Sequence, residues 1–180
     1  PTARRRFVYY PPVSHIPADT CPSPARGWHT EIELTHPARA GDGMLINRGT
    51  LNSGYALYIL HGRLHFDYNC FHRHSRAVAD AALAAGDHVV TLDVVRHDDG
   101  SAHATLRVDG TPVAETAIPK LLFVLSSLGM DFGRSSAPVN DDYQAPFVYA
   151  GRLHRVVFDL GAKASRGEIK AVMRTEMARQ

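Results

Sequence analysis

Two look-alike hairpins constrain this chain more than any other feature. Residues 55–69 read YALYILHGRLHFDYN, and residues 104–115 read ATLRVDGTPVAE. In each, apolar and polar residues alternate on both sides of a His-Gly or Asp-Gly pair. Alternation with period two marks strands with one buried face. The X-Gly pair supplies the positive φ that a two-residue hairpin turn requires. Short antiparallel strands punctuated by turns continue along the chain, and such a series folds into a β-sandwich.

The same reading places the other elements. Residues 7–10 form a short strand, 28–34 open the sandwich proper, and 44–47 precede the first hairpin. Leu64, Phe66 and Tyr68 share one face, and His65, Asp67 and Asn69 the other, so this strand is expected to keep a wet side. Residues 76–79 form a further strand, followed by an Ala-rich loop ending at Gly86. Val90, Leu92 and Val94 then alternate with Thr91 and Asp93. Residues 128–132 and 153–160 complete roughly ten to twelve strands. Prolines 11, 12, 17, 22 and 24 predict an extended surface lead-in without helix. Ser165 and Glu168 have capping-box spacing, and Ile169, Val172, Met173 and Met177 follow at helical spacing. The expected organisation is a lead-in over 1–27, one sandwich over 28–161 and a short C-terminal α-helix over 162–180.

A length of 180 residues is enough for one such core. The net charge of +2 carries no nucleic-acid footprint, and the run Arg4-Arg5-Arg6 reads as a solvated flank. No apolar run approaches the ~20 residues of a membrane span, and no signal peptide is visible. The chain begins at Pro1 rather than Met, so it is expected to be processed or a fragment. Cys21 and Cys70 lie far apart and are expected as free thiols.

Several segments carry a resemblance when taken in order. They are YYPPVSHIPADTCPS, GYALYILHGRLHFDYNCF, GDHVVTLDVVRHDDGSAHATLRVDGTPVAE, GRSSAPVNDDYQAPFVYAGRLHRVVFDL and EIKAVMRTEMARQ. Over nearly the whole chain this set resembles the C-terminal domain of large bacterial arylsulfatases. The resemblance implies an all-β, concanavalin-A-like (laminin-G-like) jelly roll. It also implies a preceding α/β sulfatase domain, holding calcium and a formylglycine made from Cys in a C-x-P-x-R motif. Here Cys21 to Arg26 reads C-x-x-P-x-R, one residue out of register and inside the lead-in, so it is a decoy. No cofactor is therefore expected in this chain, and no catalysis by it alone. The implied function is that of a noncatalytic accessory domain of an arylsulfatase. Its partner would be the sulfatase catalytic domain of the same polypeptide, in the bacterial cytoplasm or periplasm. A carbohydrate-binding module with a glycan partner is the other reading.

Other constellations read as structure. His61, His65, His72 and His74 with Cys70 offer zinc-type donors, but Arg73 opposes a cation and a water-facing loop is expected. Glu31 and Glu33 share a strand face about 7 Å apart. They lack the further carboxylates of jelly-roll glucanases, whose chemistry needs a defined pair. Asp131-Phe132-Gly133 reads as a strand end, Asp141-Asp142 as a turn rather than a calcium site, and Trp28 as core. Arg48, Asn69, Phe71, His72, Arg134 and Tyr143 fall at strand ends, where sandwich loops cluster. Asn69, Phe71 and His72 match a loop that the family retains. These six are expected to face the catalytic domain and help wall its cleft.

Overall fold

The computed structural model describes residues 5–125 and 128–161. Eleven strands lie among them: β1 (Arg6–Tyr9), β2 (Gly27–His36), β3 (Gly43–Gly49), β4 (Ser53–Leu60), β5 (Arg63–Cys70), β6 (Arg73–Val78), β7 (Gly86–Arg96), β8 (Ala102–Val108), β9 (Thr111–Ile118), β10 (Met130–Phe132) and β11 (Arg152–Leu160). They form two antiparallel sheets. One has six strands in the order β1-β11-β2-β7-β8-β9, the other five in the order β10-β3-β4-β5-β6. This is the expected jelly-roll β-sandwich. The expected C-terminal helix over 162–180 lies outside the described residues.

Both hairpins form where the alternation puts them. Tyr58 pairs with His65 across the His61-Gly62 turn, and Val108 pairs with Thr111 across Asp109-Gly110. All four turn residues have φ between 50° and 83°, the sign that a type I′ turn needs. The inward residues interleave between the sheets. Ile32, Leu57, Phe66, Val90, Leu92, Leu106 and Phe158 are wholly buried there. Trp28 is core as expected, stacked on Tyr55 across the sheets with ring centroids 4.9 Å apart.

The lead-in departs from expectation. It contains a single 3₁₀ turn (Ala18–Thr20), and it does not merely cross the surface. The short strand expected near residues 7–10 is present as β1, at the edge of the six-stranded sheet beside β11; the departure is that Ile16 exchanges two backbone hydrogen bonds of 2.9 Å with Met130. Apolar Ile16 has somewhere to be buried, so the proline-rich stretch is recruited as an edge of the fold. A Cβ on Gly129 would collide with the Ile16 carbonyl oxygen. Gly129→Ala is therefore expected to destabilise the protein by about 1–3 kcal/mol, read from urea unfolding. A loss within about 0.5 kcal/mol, ordinary for a surface site, would mean the lead-in is not held there.

The sandwich has two ends. At one, the β3–β4 and β5–β6 turns, the β7–β8 turn and the 119–125 loop gather around Gly27. The Tyr68 hydroxyl accepts from the Leu122 amide there, and the Arg96 guanidinium donates to the Ala25 and Leu121 carbonyls. At the other end lie the β4–β5 and β8–β9 turns and the loop 79–86, tied by the Leu83 amide to the Gly62 carbonyl.

Candidate functional site

The outer face of β3, β4 and β5 is where structure and expectation part most. His65, Asp67 and Asn69 do share a face, but it is not wet: Asp67 and Asn69 are fully buried. The segment 133–150 lies over them. Met44, Ala56 and Tyr58 project outward and meet Val139 and Tyr143 in a second apolar cluster. Backbone bonds fasten the cover to β3: the Met44 amide to the Phe147 carbonyl at 2.9 Å, and the Gly133 amide to the Leu45 carbonyl at 3.1 Å.

Covering a polar face obliges every polar group on it to find a partner. Asp67 accepts from His74 Nδ1 at 2.8 Å and from Asn140 Nδ2 at 2.7 Å, and it pairs with Arg76 Nε at 3.2 Å. The Tyr58 hydroxyl donates to Asp142 at 2.7 Å and accepts from Asn140. The Tyr143 hydroxyl donates to Asn47 Oδ1 and accepts from the Val139 amide. Burial, and then the bond to Asp142, push the Tyr58 phenol well above its ordinary pKa; burial does the same for Tyr143. Burial opposes the charge on Arg76, but Asp67 and Asp142 outweigh it and hold its pKa up. The Asp141-Asp142 pair is thus a turn whose second carboxylate is spent on Tyr58 and Arg76.

Asn69 links this covered face to the nearby turn tips. Its Nδ2 donates to the Leu51 carbonyl at 2.7 Å and the Val139 carbonyl at 3.0 Å. Its Oδ1 accepts from the His72 amide at 2.8 Å. Phe71 and His72 occupy the β5–β6 turn with φ of 51° and 68°. The other two-residue hairpin turns carry glycine at the second position; this one carries none. A left-handed backbone costs an L-residue about 1–2 kcal/mol, and Asn69 supplies the bonds that hold it. The result is an aromatic side chain, 57% exposed, on a fixed tip beside Leu51, itself 42% exposed.

The structure sorts the six candidate residues into two groups. Phe71, His72 and Arg134 are exposed, whereas Arg48, Asn69 and Tyr143 are buried. Arg48 turns inward and donates from Nη1 to the Pro22 carbonyl, while its Nε has no partner. Asn69, Phe71 and His72 come together in one motif. Tyr143 belongs to the covering segment, one hydrogen-bond partner away through Val139. Sequence reasoning missed His74, Arg76 and Asn140 as partners of Asp67. The signal available was an aspartate in a strand position flanked by apolar residues.

The remaining readings resolve simply. His74 is on β6 and bound to Asp67 rather than in a water-facing loop. Glu31 and Glu33 share a face as expected, and both engage Arg155, at 3.3 and 3.2 Å. Cys21 and Cys70 are free thiols. Burial raises the pKa of Cys21, with Arg48 opposing it. Among the described residues no three His, Cys, Asp or Glu side chains converge as a metal site would need. None of their helices is long and apolar enough to cross a membrane.

No protein-family model matches the chain, and no curated protein matches it by sequence. Solved structures do match. Domains LG4-5 of the mouse laminin alpha1 chain superpose with a TM-score of 0.61 at 14% identity, covering 86% of this chain and 39% of that one. A mutant of HCR/D superposes with a TM-score of 0.54 at 14% identity, covering 95% of this chain and 40% of that one. The chain thus spans about two fifths of the length of these matched chains. At such identity the likeness is one of architecture: the fold is that of a laminin-G-like, concanavalin-A-like jelly roll.

Proposed function

We infer that this sandwich is a noncatalytic accessory domain of an arylsulfatase, and that it docks on the catalytic domain through the tips around Phe71 and Leu51. The ordered sequence resemblance names the partner. The observation that carries the docking reading is the Phe71-His72 turn: two side chains in the left-handed region where glycine would be cheaper, braced by a buried asparagine. Strain kept at a surface tip, with an aromatic residue presented there, suits an interaction site. Buried Asn69 and Arg48 then act as positioning groups and exposed Phe71 and His72 as contacts. Arg134, following a Gly133 whose amide bonds to the Leu45 carbonyl, lies toward the other end of β3 and is no part of this surface.

The test separates stability from docking. Rewriting the turn by Phe71→Asn with His72→Gly gives the pair that a type I′ turn favours. The isolated domain is expected to gain about 1 kcal/mol from relief of the left-handed strain. Association with the sulfatase domain supplied in trans, followed by sedimentation, is expected to weaken about tenfold or more, as loss of an aromatic anchor does. Unchanged association would remove these tips from the interface. A glycan array on the same protein gives the competing outcome: saturable sugar binding abolished by this variant would make it a carbohydrate-binding module.

A further inference from the structure

The opposite end of the sandwich holds two adjoining cavities that the docking surface does not use. The first is an apolar crevice of about 390 Å³ between the loop 79–86 and the β8–β9 hairpin. Its walls include Leu64, Ala79, Leu83, Val108 and Val113. The second, about 320 Å³, lies over the six-stranded sheet and is lined by Glu33, Asp87, Asp109, His88 and His154 among others. His88 lines both. Together they have the size and the mixed lining of a small-molecule site.

The partition between them is fixed. His88 Nδ1 lies 2.7 Å from Asp109 Oδ2 and Nε2 lies 2.8 Å from the Ala84 carbonyl oxygen. Both partners are acceptors, so the surroundings favour the imidazolium, in which both ring nitrogens donate. Burial opposes that charge, but the bonds to Asp109 and Ala84 outweigh it and hold the pKa above the ordinary value. This ring therefore braces the Ala-rich loop against the β8–β9 turn.

The charge around the cavities has one sign left over. Their linings contain four carboxylates, Glu33, Asp80, Asp87 and Asp109, and no Lys or Arg. Glu33 is answered by Arg155 and Asp109 by His88. Among the described residues Asp87 accepts the Thr35 hydroxyl, at 2.5 Å, and it is near enough to His88 to favour that ring's charge without an ion-pair contact. Asp80, on the crevice wall, has no ion-pair partner among the described residues. An anionic ligand would meet uncompensated carboxylates here, and a neutral one would leave them unused.

We propose that this end of the sandwich binds an alkyl- or arylammonium ion, with its apolar body in the crevice beside Leu83 and Val113 and its ammonium group on the carboxylate side of His88. The apolar body supplies most of the affinity; Asp87, which lines the second cavity, supplies the preference for a cation, and Asp80, on the crevice wall, adds negative charge from the other side of His88.

Hexylammonium, hexanol and hexanoate share an apolar body and differ in charge, so titrating the 180-residue protein with each isolates the charge preference. Hexylammonium is expected to saturate with a Kd on the order of 1 mM, shifting the backbone amide resonances of residues 81–84 and 113. Hexanoate is expected to bind at least about tenfold more weakly, with hexanol between. Asp80→Asn with Asp87→Asn, both at exposed positions, is expected to weaken hexylammonium about fivefold and leave hexanol unchanged. Equal binding of all three, no shift at residues 81–84 up to about 10 mM ligand, or an unaltered Kd in the double variant would each overturn the proposal.

Discussion

Asp67→Ala is expected to cost about 3 kcal/mol of stability. The carboxylate is wholly buried and serves three donors: His74, Arg76 and Asn140. Removing one partner of a buried pair commonly costs about 3–5 kcal/mol, because the other is left uncompensated. The lower end applies here, since the Arg76 side chain is 42% exposed and keeps Asp142. Asp67→Asn retains an acceptor oxygen and is expected to lose less than the alanine variant. Urea unfolding gives both values. Amide exchange adds a local readout: the Asp142 amide, bonded to Asn140 Oδ1 at 2.9 Å, should lose protection as the cover loosens. A loss under about 1 kcal/mol, the worth of one ordinary hydrogen bond, would mean that Asp67 does not organise the face.

Phe66→Ala is expected to cost as much or more, about 3–5 kcal/mol. Its side chain has no exposure and projects into the space between the sheets, with the Tyr55 ring 6.4 Å away. Its neighbours on adjoining strands are Leu57 and Ala77. These are ladder residues that cannot collapse far without breaking backbone pairs, so most of the emptied volume would persist as a cavity. Phe71 is the internal control: the same residue type five positions later, exposed, and expected within about 0.5 kcal/mol of neutral when changed to Ala. Equal losses at the two positions would contradict the assignment of Phe66 to the core. The contrast also separates two uses of one side chain. Phe66 contributes stability, whereas Phe71 sits where it stabilises little and is free to meet a partner.

Much of the fold was legible because it is local. The alternation through residues 55–69 determines which side chains of β4 and β5 point inward, and His61-Gly62 determines the turn between them. The inward placement of Trp28, Val90, Leu92 and Leu106 follows from the same periodicity. The lead-in was harder to read, since prolines forbid helix but do not say what the chain lies against. Ile16 was the clue, an apolar residue that had to be buried somewhere. The candidate site was legible in part. Asn69, Phe71 and His72 are neighbours in sequence and form one turn motif. Arg48 and Tyr143 were both read as strand-end residues; Arg48 is one, but Tyr143 lies midway along the covering segment, and the burial of neither was foreseen.

What the sequence by itself determined is the pleat: two faces per strand, tight turns at X-Gly, and enough aliphatic side chains to fill the space between two sheets. Only the tertiary structure decided what lies on the far face of β5. Period-two alternation distinguishes one side of a strand from the other, but it cannot tell water from a covering segment. That cover, residues 133–150, is irregular and meets Asp67 through Asn140, 73 positions away. A buried charge is tolerable only when such distant donors arrive together, and their meeting is a property of the assembled sandwich.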